Sequence, residues 1–352
     1  MTFDEGSMFG IEIEFIPNEG VTANDIAFEV RQEGIECSDQ SERYYHSVEE
    51  TEWHIKYDAS VTPRGLEMVS PPMSGRGAFE EIARVCAVLQ EHGSINKTCG
   101  LHVHHEVRRA TGGMLRSLCM LAMRSSQWLR HCMPPSRRRN EYCLQLPATY
   151  ATALKREPER RALDQLFVTD RRSEVNFQSY SIRRTVEFRL HSGTLSARKI
   201  QSWVAFTQAM VQTARRKTYY VAVPFRTLRE MLDELDLSTT TDPIMQQGRE
   251  YIRERFDKFA TRRGHSECEV YMGFPAEMRA GVGVFDRDDG DEEHPEVEHT
   301  VDRNTDESVE EFVGGVRART EDRLTQMGDS MRAEYRRDAL RRTTGYNETE
   351  VF

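Results

Sequence analysis

The sequence predicts an α+β fold: one antiparallel sheet whose polar face lines an active site, with helices packed on the other face. Two observations carry this. Five short stretches alternate apolar with ionisable residues at the two-residue period of a strand. Between and after them, residues 77–92, 113–132 and 196–217 repeat apolar side chains at helical spacing. The alternation is plainest at residues 185–191. There Val186, Phe188 and Leu190 fall on one side of a strand, and Glu187, Arg189 and His191 on the other. An acid, a guanidinium and an imidazole in one row make either a solvated edge or the wall of a site.

The elements follow in order. Residues 8–16 form a first strand with Phe9, Ile11, Ile13 and Phe15 inward and Gly10, Glu12 and Glu14 outward. Like charges two apart on one face repel, and a cation between them removes the conflict. Residues 22–34 read as a short helix capped by Thr22 or Asn24 and ended by Gly34. Residues 36–52 are polar and read as a loop. Residues 53–57 alternate with Trp53, Ile55 and Tyr57 inward, run into Asp58, and residues 65–70 return as a strand stopped by Pro71 and Pro72. This hairpin-like pair puts Asp58 at a strand end, where Asp is at home in a turn. It puts Glu67 inside a strand, between Leu66 and Met68.

Residues 99–107 set Leu101, Val103 and Val107 against His102, His104 and Glu106. Two histidines two apart on a strand can share one metal or face a phosphate. Arg137, Arg138 and Arg139 follow the helix at 113–132 and read equally as a solvated face or an anion site. A helix is expected at 158–167. Strands are expected at 174–181, with Asn176, Gln178 and Tyr180 as polar candidates, and at 184–191. Further helices are expected at 225–236 and 243–262.

The chain of 352 residues and 40.8 kDa is long enough for a sizeable core. Hydrophobic content is 38% and mean hydropathy −0.67, and no apolar run approaches the roughly 20 residues that span a bilayer. Residues 1–7 lack a basic-then-apolar leader pattern. Seven cysteines without a CxxC pair read as reduced thiols, so a cytoplasmic location is expected. Of the net charge of −10, residues 286–311 alone supply −11, from thirteen acids and two arginines. The remainder is nearly neutral and carries no strong nucleic-acid signature. Residues 1–285 therefore read as the catalytic domain, 286–311 as an acidic disordered loop or linker, and 312–352 as a charged helix and tail.

If the strands share one sheet, Glu12, Glu14, Asp58, Glu67, His102, His104, Glu187 and Arg189 converge. Carboxylates suit hard Mg²⁺ or Mn²⁺. Several acids with more than one such cation suit a nucleoside triphosphate, and an arginine among them suits a transferring phosphoryl group. No GxxxxGK[ST] loop is present, so this is not a P-loop site.

The blocks GIEIE, Asp58 to Glu67 followed by VSPP, CGLHVHH and TVEFRLHSGTL resemble the amidoligase family over roughly residues 8–215. These are carboxylate–amine ligases related to glutamate–cysteine ligase and, more remotely, to glutamine synthetase. The resemblance implies a curved antiparallel sheet of the glutamine synthetase catalytic type with helices outside. It implies ATP, two or three Mg²⁺, and an amide or isopeptide bond made through an acyl phosphate. The substrates implied are a glutamate-like or glutamyl carboxylate and an amine.

Carried over by position, Glu12, Glu14, Glu67, His102 and Glu187 match metal ligands. His102, His104 and Arg189 match nucleotide-phosphate contacts, and Arg189, Glu67 and Asp58 match catalytic positions. Asn176, Tyr180 and Arg139 lie near family motifs without an assigned partner. Phage genomes often carry this family, in which case the compartment is the host cytoplasm. Three other readings stand beside this one: a zinc-dependent hydrolase built on the HVHH strand, an ATP-dependent small-molecule phosphotransferase, and a ligase fold that has lost activity.

Overall fold

The computed structural model describes residues 1–41, 51–147, 150 and 171–280. The chain divides into two compact units, Met1–Asp286 and Arg287–Phe352. The expected helix at 158–167, the acidic segment at 286–311 and the charged helix and tail expected at 312–352 lie outside the described residues.

One open, mostly antiparallel sheet organises the first unit. Its strands are β1 (Phe9–Pro17), β2 (Cys37–Asp39), β3 (Trp53–Tyr57), β4 (Leu66–Val69), β5 (Gly93–Ser94), β6 (Gly100–Glu106), β7 (Val175–Asn176) and β8 (Thr185–Ser192). Their spatial order is β2-β3-β4-β1-β6-β8-β7, with β5 paired to the end of β1. Every pair is antiparallel except β2–β3. The alternation read in the sequence sets the faces. Phe9, Ile11, Ile13 and Phe15 of β1, Leu101 and Val103 of β6, and Val186 and Phe188 of β8 are each at most 2% exposed.

Helices pack around the sheet, the long ones against that apolar face. They are α1 (Ala23–Gln32), α2 (Gly75–His92), α3 (Gly112–His131), α4 (Pro135–Arg138), α5 (Gln178–Arg183), α6 (Ala197–Arg216), α7 (Leu228–Glu234), α8 (Pro243–Phe259), α9 (Glu267–Met272) and α10 (Ala276–Arg279). Thr22 starts α1 with a capping box: its Oγ1 accepts from the Asp25 N–H, and the Asp25 carboxylate accepts from the Thr22 N–H. Gly34 follows α1 at φ +73°, a left-handed position that favours glycine. The long α6 is the inner helix. Its Thr207 Oγ1 lies 2.8 Å from His105 Nε2 on β6, and Trp203 packs at a tilt against the ring of His191 of β8. All seven cysteines are unpaired, six of them buried. Among the described residues no helix is long and apolar enough to cross a membrane.

Four expectations change. Residues 37–39, expected in a loop, form a strand parallel to β3. Tyr57, expected in the core, is 60% exposed, because it ends β3 where the turn to β4 begins. The strand expected at 174–181 shrinks to two residues and turns into α5, whose C-terminal neighbour Arg184 takes φ +60° before β8.

The fourth change is His191. Leu101 pairs with His191 but Val103 pairs with Phe188, so β8 carries one extra residue between them. A one-residue bulge reverses which face each later side chain takes. His191 therefore leaves the face of Glu187 and lies fully buried against Trp203 and Tyr251, with its Nε2 2.7 Å from the Tyr251 hydroxyl.

Candidate active site

The sheet register assembles the site. On its polar face Glu67 stands opposite Glu14, and Lys56 opposite Glu67. In the next row Glu12 stands opposite His102. In the third, His104 stands opposite Glu187, and Glu187 opposite Asn176. Directly opposed side chains sit about 5 Å apart at Cβ, so four strands deliver four carboxylates and two imidazoles to one patch.

His102 is its hub. Its Nδ1 lies 3.1 Å from Glu12 Oε2, 3.6 Å from Glu187 Oε1 and 4.0 Å from Glu67 Oε1, and its Nε2 lies 3.3 Å from Glu14 Oε1. Two overlapping groups result, Glu12–His102–Glu187 and Glu14–Glu67–His102, each with donor atoms within 4.8 Å of one another. The side chains of Glu14, His102 and Glu187 are about 5% exposed. Gly100 holds the floor: its N–H donates to the Glu14 carboxylate, and a Cβ there would stand 3.1 Å from His102 Nε2 and 3.3 Å from Glu14 Oε2.

The second histidine is aimed at the acids by its other ring nitrogen. His104 Nδ1 lies 3.1 Å from Thr185 Oγ1 and 3.4 Å from Ser179 Oγ. This leaves Nε2 buried without a hydrogen-bond partner, 3.3 Å from Glu12 Oε1 and 3.9 Å from Glu187 Oε1. Such an arrangement, with one nitrogen oriented by hydroxyls and the other bare among carboxylates, is how a protein presents an imidazole to a cation.

Arg189 pairs with Glu187 and donates Nε–H to the Tyr142 carbonyl at 3.3 Å. Asn176 Nδ2 donates to the other oxygen of Glu187 at 2.7 Å, and its own Oδ1 accepts from the Gln178 N–H.

Electrostatics divide the acids. Burial raises the Glu12 carboxyl, but the nearby His104 and His102 rings outweigh it and hold it well below the usual range. Burial likewise opposes ionisation of Glu187, and Arg189 and His104 bring it below its ordinary value. Glu67 goes the other way. Burial, then the charges of Glu12, Glu14 and Asp58, push it well above the carboxylate range. Burial lowers His104, yet Glu12 and Glu187 raise it overall. The cluster thus gathers more negative charge than its own cations balance, and the cost falls on Glu67. Four carboxylates with a bare imidazole nitrogen fit hard divalent cations, and two adjacent donor groups fit two of them.

The candidates read from the sequence are therefore placed as follows. Glu12, Glu14, Glu67, His102, His104, Glu187 and Arg189 share one patch. Asp58 does not join the donor groups; its Oδ1 accepts from the Ser60 N–H in a turn, and it reaches the site through its charge on Glu67. Arg137 is buried and donates to the carbonyls of Arg189 and Leu190 at the β8 bulge, while Arg138 donates to the carbonyls of Met133 and Phe259. These two arginines brace the backbone, and Arg139 is exposed. Tyr180 is buried under the Arg184 guanidinium.

Two contributors were not legible as such. His54 is buried on the polar face of β3, and burial holds its ring down at about 4. Arg183 at the end of α5 reaches Glu12. The second is hidden because residues 174–181 read as strand in the sequence; the paired arginines before β8 are its only signal.

Residues 5–211 match a family described as "Putative amidoligase enzyme". Among solved structures, a bifunctional glutathione synthetase from Pasteurella multocida is similar at 13% identity and a TM-score of 0.35, over 78% of this chain and 49% of that one. This chain thus spans about half the length of that protein. No protein of curated function matches it.

Proposed function

The chain belongs to the amidoligase family, and from that premise and the geometry of the patch we propose that it is an ATP-dependent carboxylate–amine ligase. The observation that carries the reading is the pair of donor groups sharing His102. Glu12 and Glu187 would hold one Mg²⁺ or Mn²⁺ and Glu14 and Glu67 a second, with the single lone pair of the neutral His102 ring available to one of the two. His104 stands beside the first as a further ligand or phosphate contact. Bound there, the cations would neutralise the triphosphate and polarise its terminal phosphoryl group.

The chemistry asked of the site is demanding. A carboxylate oxygen must attack the γ-phosphorus, releasing ADP and leaving an acyl phosphate. An amine nitrogen must then attack the acyl carbon, releasing phosphate and a proton. The first step brings two anions together, and Arg189 meets it. Its guanidinium is anchored by Glu187 and the Tyr142 carbonyl and keeps 16% of its side chain open to solvent. It is fixed before the reaction, so it costs little reorganisation when charge develops. Asn176 and Thr185 orient Glu187 and His104 behind it. Asp58 acts by its charge on Glu67 rather than as a ligand. The acid substrate read from the family is a glutamate-like or glutamyl carboxylate.

The test is ATP consumption by the purified chain with Mg²⁺ against a pool of amino acids and amines, with Arg189→Ala as control. ADP and phosphate release that depends on one acid–amine pair, with an amide as product, supports the ligase. A phosphate ester as product supports the phosphotransferase. No turnover with any pair, alongside tight stoichiometric zinc, supports the hydrolase.

A further inference from the structure

Arg183 is the last residue of α5, and its guanidinium approaches the acid cluster from the solvent side. Its Nη1 lies 3.4 Å from Glu12 Oε1, and half of its side chain is exposed against 12% for Glu12. Among the described residues Glu12 is its one polar partner. The base of the side chain is fixed. The Arg184 N–H donates to the Tyr180 carbonyl at 3.1 Å, and the Arg184 carbonyl accepts from the Val107 N–H at 2.8 Å, which ties the end of α5 to the sheet. The tip is held by a single ion pair.

Arg189 offers the contrast. It is 16% exposed and engaged by both Glu187 and the Tyr142 carbonyl, so it has one place to be. Arg183, half exposed and held at its tip by one ion pair, is not confined in this way.

What holds its tip is the charge on Glu12. That carboxylate is shared. Its Oε1 is 3.3 Å from His104 Nε2 as well as 3.4 Å from Arg183, and its Oε2 is 3.1 Å from His102. It also belongs to the donor group Glu12–His102–Glu187. A divalent cation in that group and the Arg183 guanidinium would compete for the same negative charge.

We propose that Arg183 is a cation-gated anion clamp, neutralising Glu12 in the metal-free site and turning to the terminal phosphate of a nucleoside triphosphate once a divalent cation occupies Glu12. The inference rests on the nucleotide-dependent reading of the site. The guanidinium fork suits that phosphate, since its parallel N–H groups match two phosphate oxygens. The gate has a purpose: it leaves the clamp occupied until the cation that must accompany the nucleotide is present.

Competition predicts opposite signs for the two ligands, which a merely structural arginine does not. Mn²⁺ affinity is measured by calorimetry without nucleotide, and Mg–ATP and AMP affinities at saturating Mg²⁺, for the wild-type chain, Arg183→Ala and Arg183→Lys. Arg183→Ala is expected to bind Mn²⁺ several-fold more tightly than wild type. It is expected to bind Mg–ATP about tenfold more weakly, the loss of one charge-assisted contact, with AMP unchanged. Arg183→Lys should recover part of the Mg–ATP affinity. Mg–ATP binding by Arg183→Ala within twofold of wild type overturns the clamp alone, as does equal weakening of Mn²⁺ and Mg–ATP. A wild-type chain with no affinity for Mg–ATP overturns the nucleotide reading and the clamp with it.

Discussion

Glu67→Gln should stabilise the protein without metal and weaken its response to metal. Glu67 stands directly opposite Glu14 across β1 and β4, and the two share a donor group whose atoms lie within 4.8 Å. Two unit negative charges at that separation repel by about 3.5 kcal/mol at an effective dielectric of about 20. This is a ceiling, because the carboxyl escapes part of the repulsion by keeping its proton. Glutamine also gives up attraction to Lys56 and to His102 Nδ1, 4.0 Å away. A net gain of about 1–2 kcal/mol remains, or several degrees in Tm at roughly 2–4 °C per kcal/mol.

The pH dependence fixes the sign. Burial and three neighbouring acids raise Glu67 in the folded protein, so the folded state keeps a proton that the unfolded chain has released. Wild type therefore loses stability as pH rises from the ordinary carboxylate value through the raised one. Glutamine does not titrate, so the advantage of the variant should vanish below about pH 4 and grow toward pH 8. With Mg²⁺ or Mn²⁺ most of that advantage is offset. A tenfold weaker site removes about 1.4 kcal/mol of cation-induced stabilisation at saturation. The assay is thermal unfolding in EDTA and in graded cation from pH 4 to 8. A lower metal-free Tm for the variant, or an unchanged cation-induced rise, would refute the reasoning.

Three further outcomes are expected. Arg189→Ala should abolish turnover and cost roughly 3–5 kcal/mol, because it strands a buried Glu187; adding Glu187→Gln should restore much of the Tm in thermal unfolding but none of the activity. Asn176→Ala frees one oxygen of Glu187 and should weaken Mn²⁺ binding about 10–100-fold by calorimetry, with a small change in Tm. His191→Phe should leave turnover intact and cost about 1–2 kcal/mol at neutral pH for the lost hydrogen bond to Tyr251. Burial and then Arg255 depress His191, so folding is penalised as pH falls through the ordinary histidine value; the phenylalanine variant should lose less stability than wild type between about pH 6.5 and 5.

The patch was legible because a sheet converts sequence parity into geometry. Glu12 and Glu14, His102 and His104, and Glu187 and Arg189 each lie two apart, and antiparallel register then sets the three pairs side by side. What parity does not encode is where it breaks. His191 continues the Glu187–Arg189 alternation in the sequence, and no residue type in Phe188–His191 marks the bulge. The cause lies elsewhere in the chain. Arg137, 2% exposed, donates to the carbonyls of Arg189 and Leu190, and the Arg189 N–H donates to the Glu174 carbonyl. These bonds satisfy backbone polar groups of β8 at the bulge, and the extra residue is tolerated at low cost. An arginine some fifty residues upstream thus helps to hold the bulge that turns His191 away from the site. It leaves Arg189 as the last polar side chain of β8 on the acid face, at the rim where a guanidinium can meet both the carboxylates and an incoming phosphate.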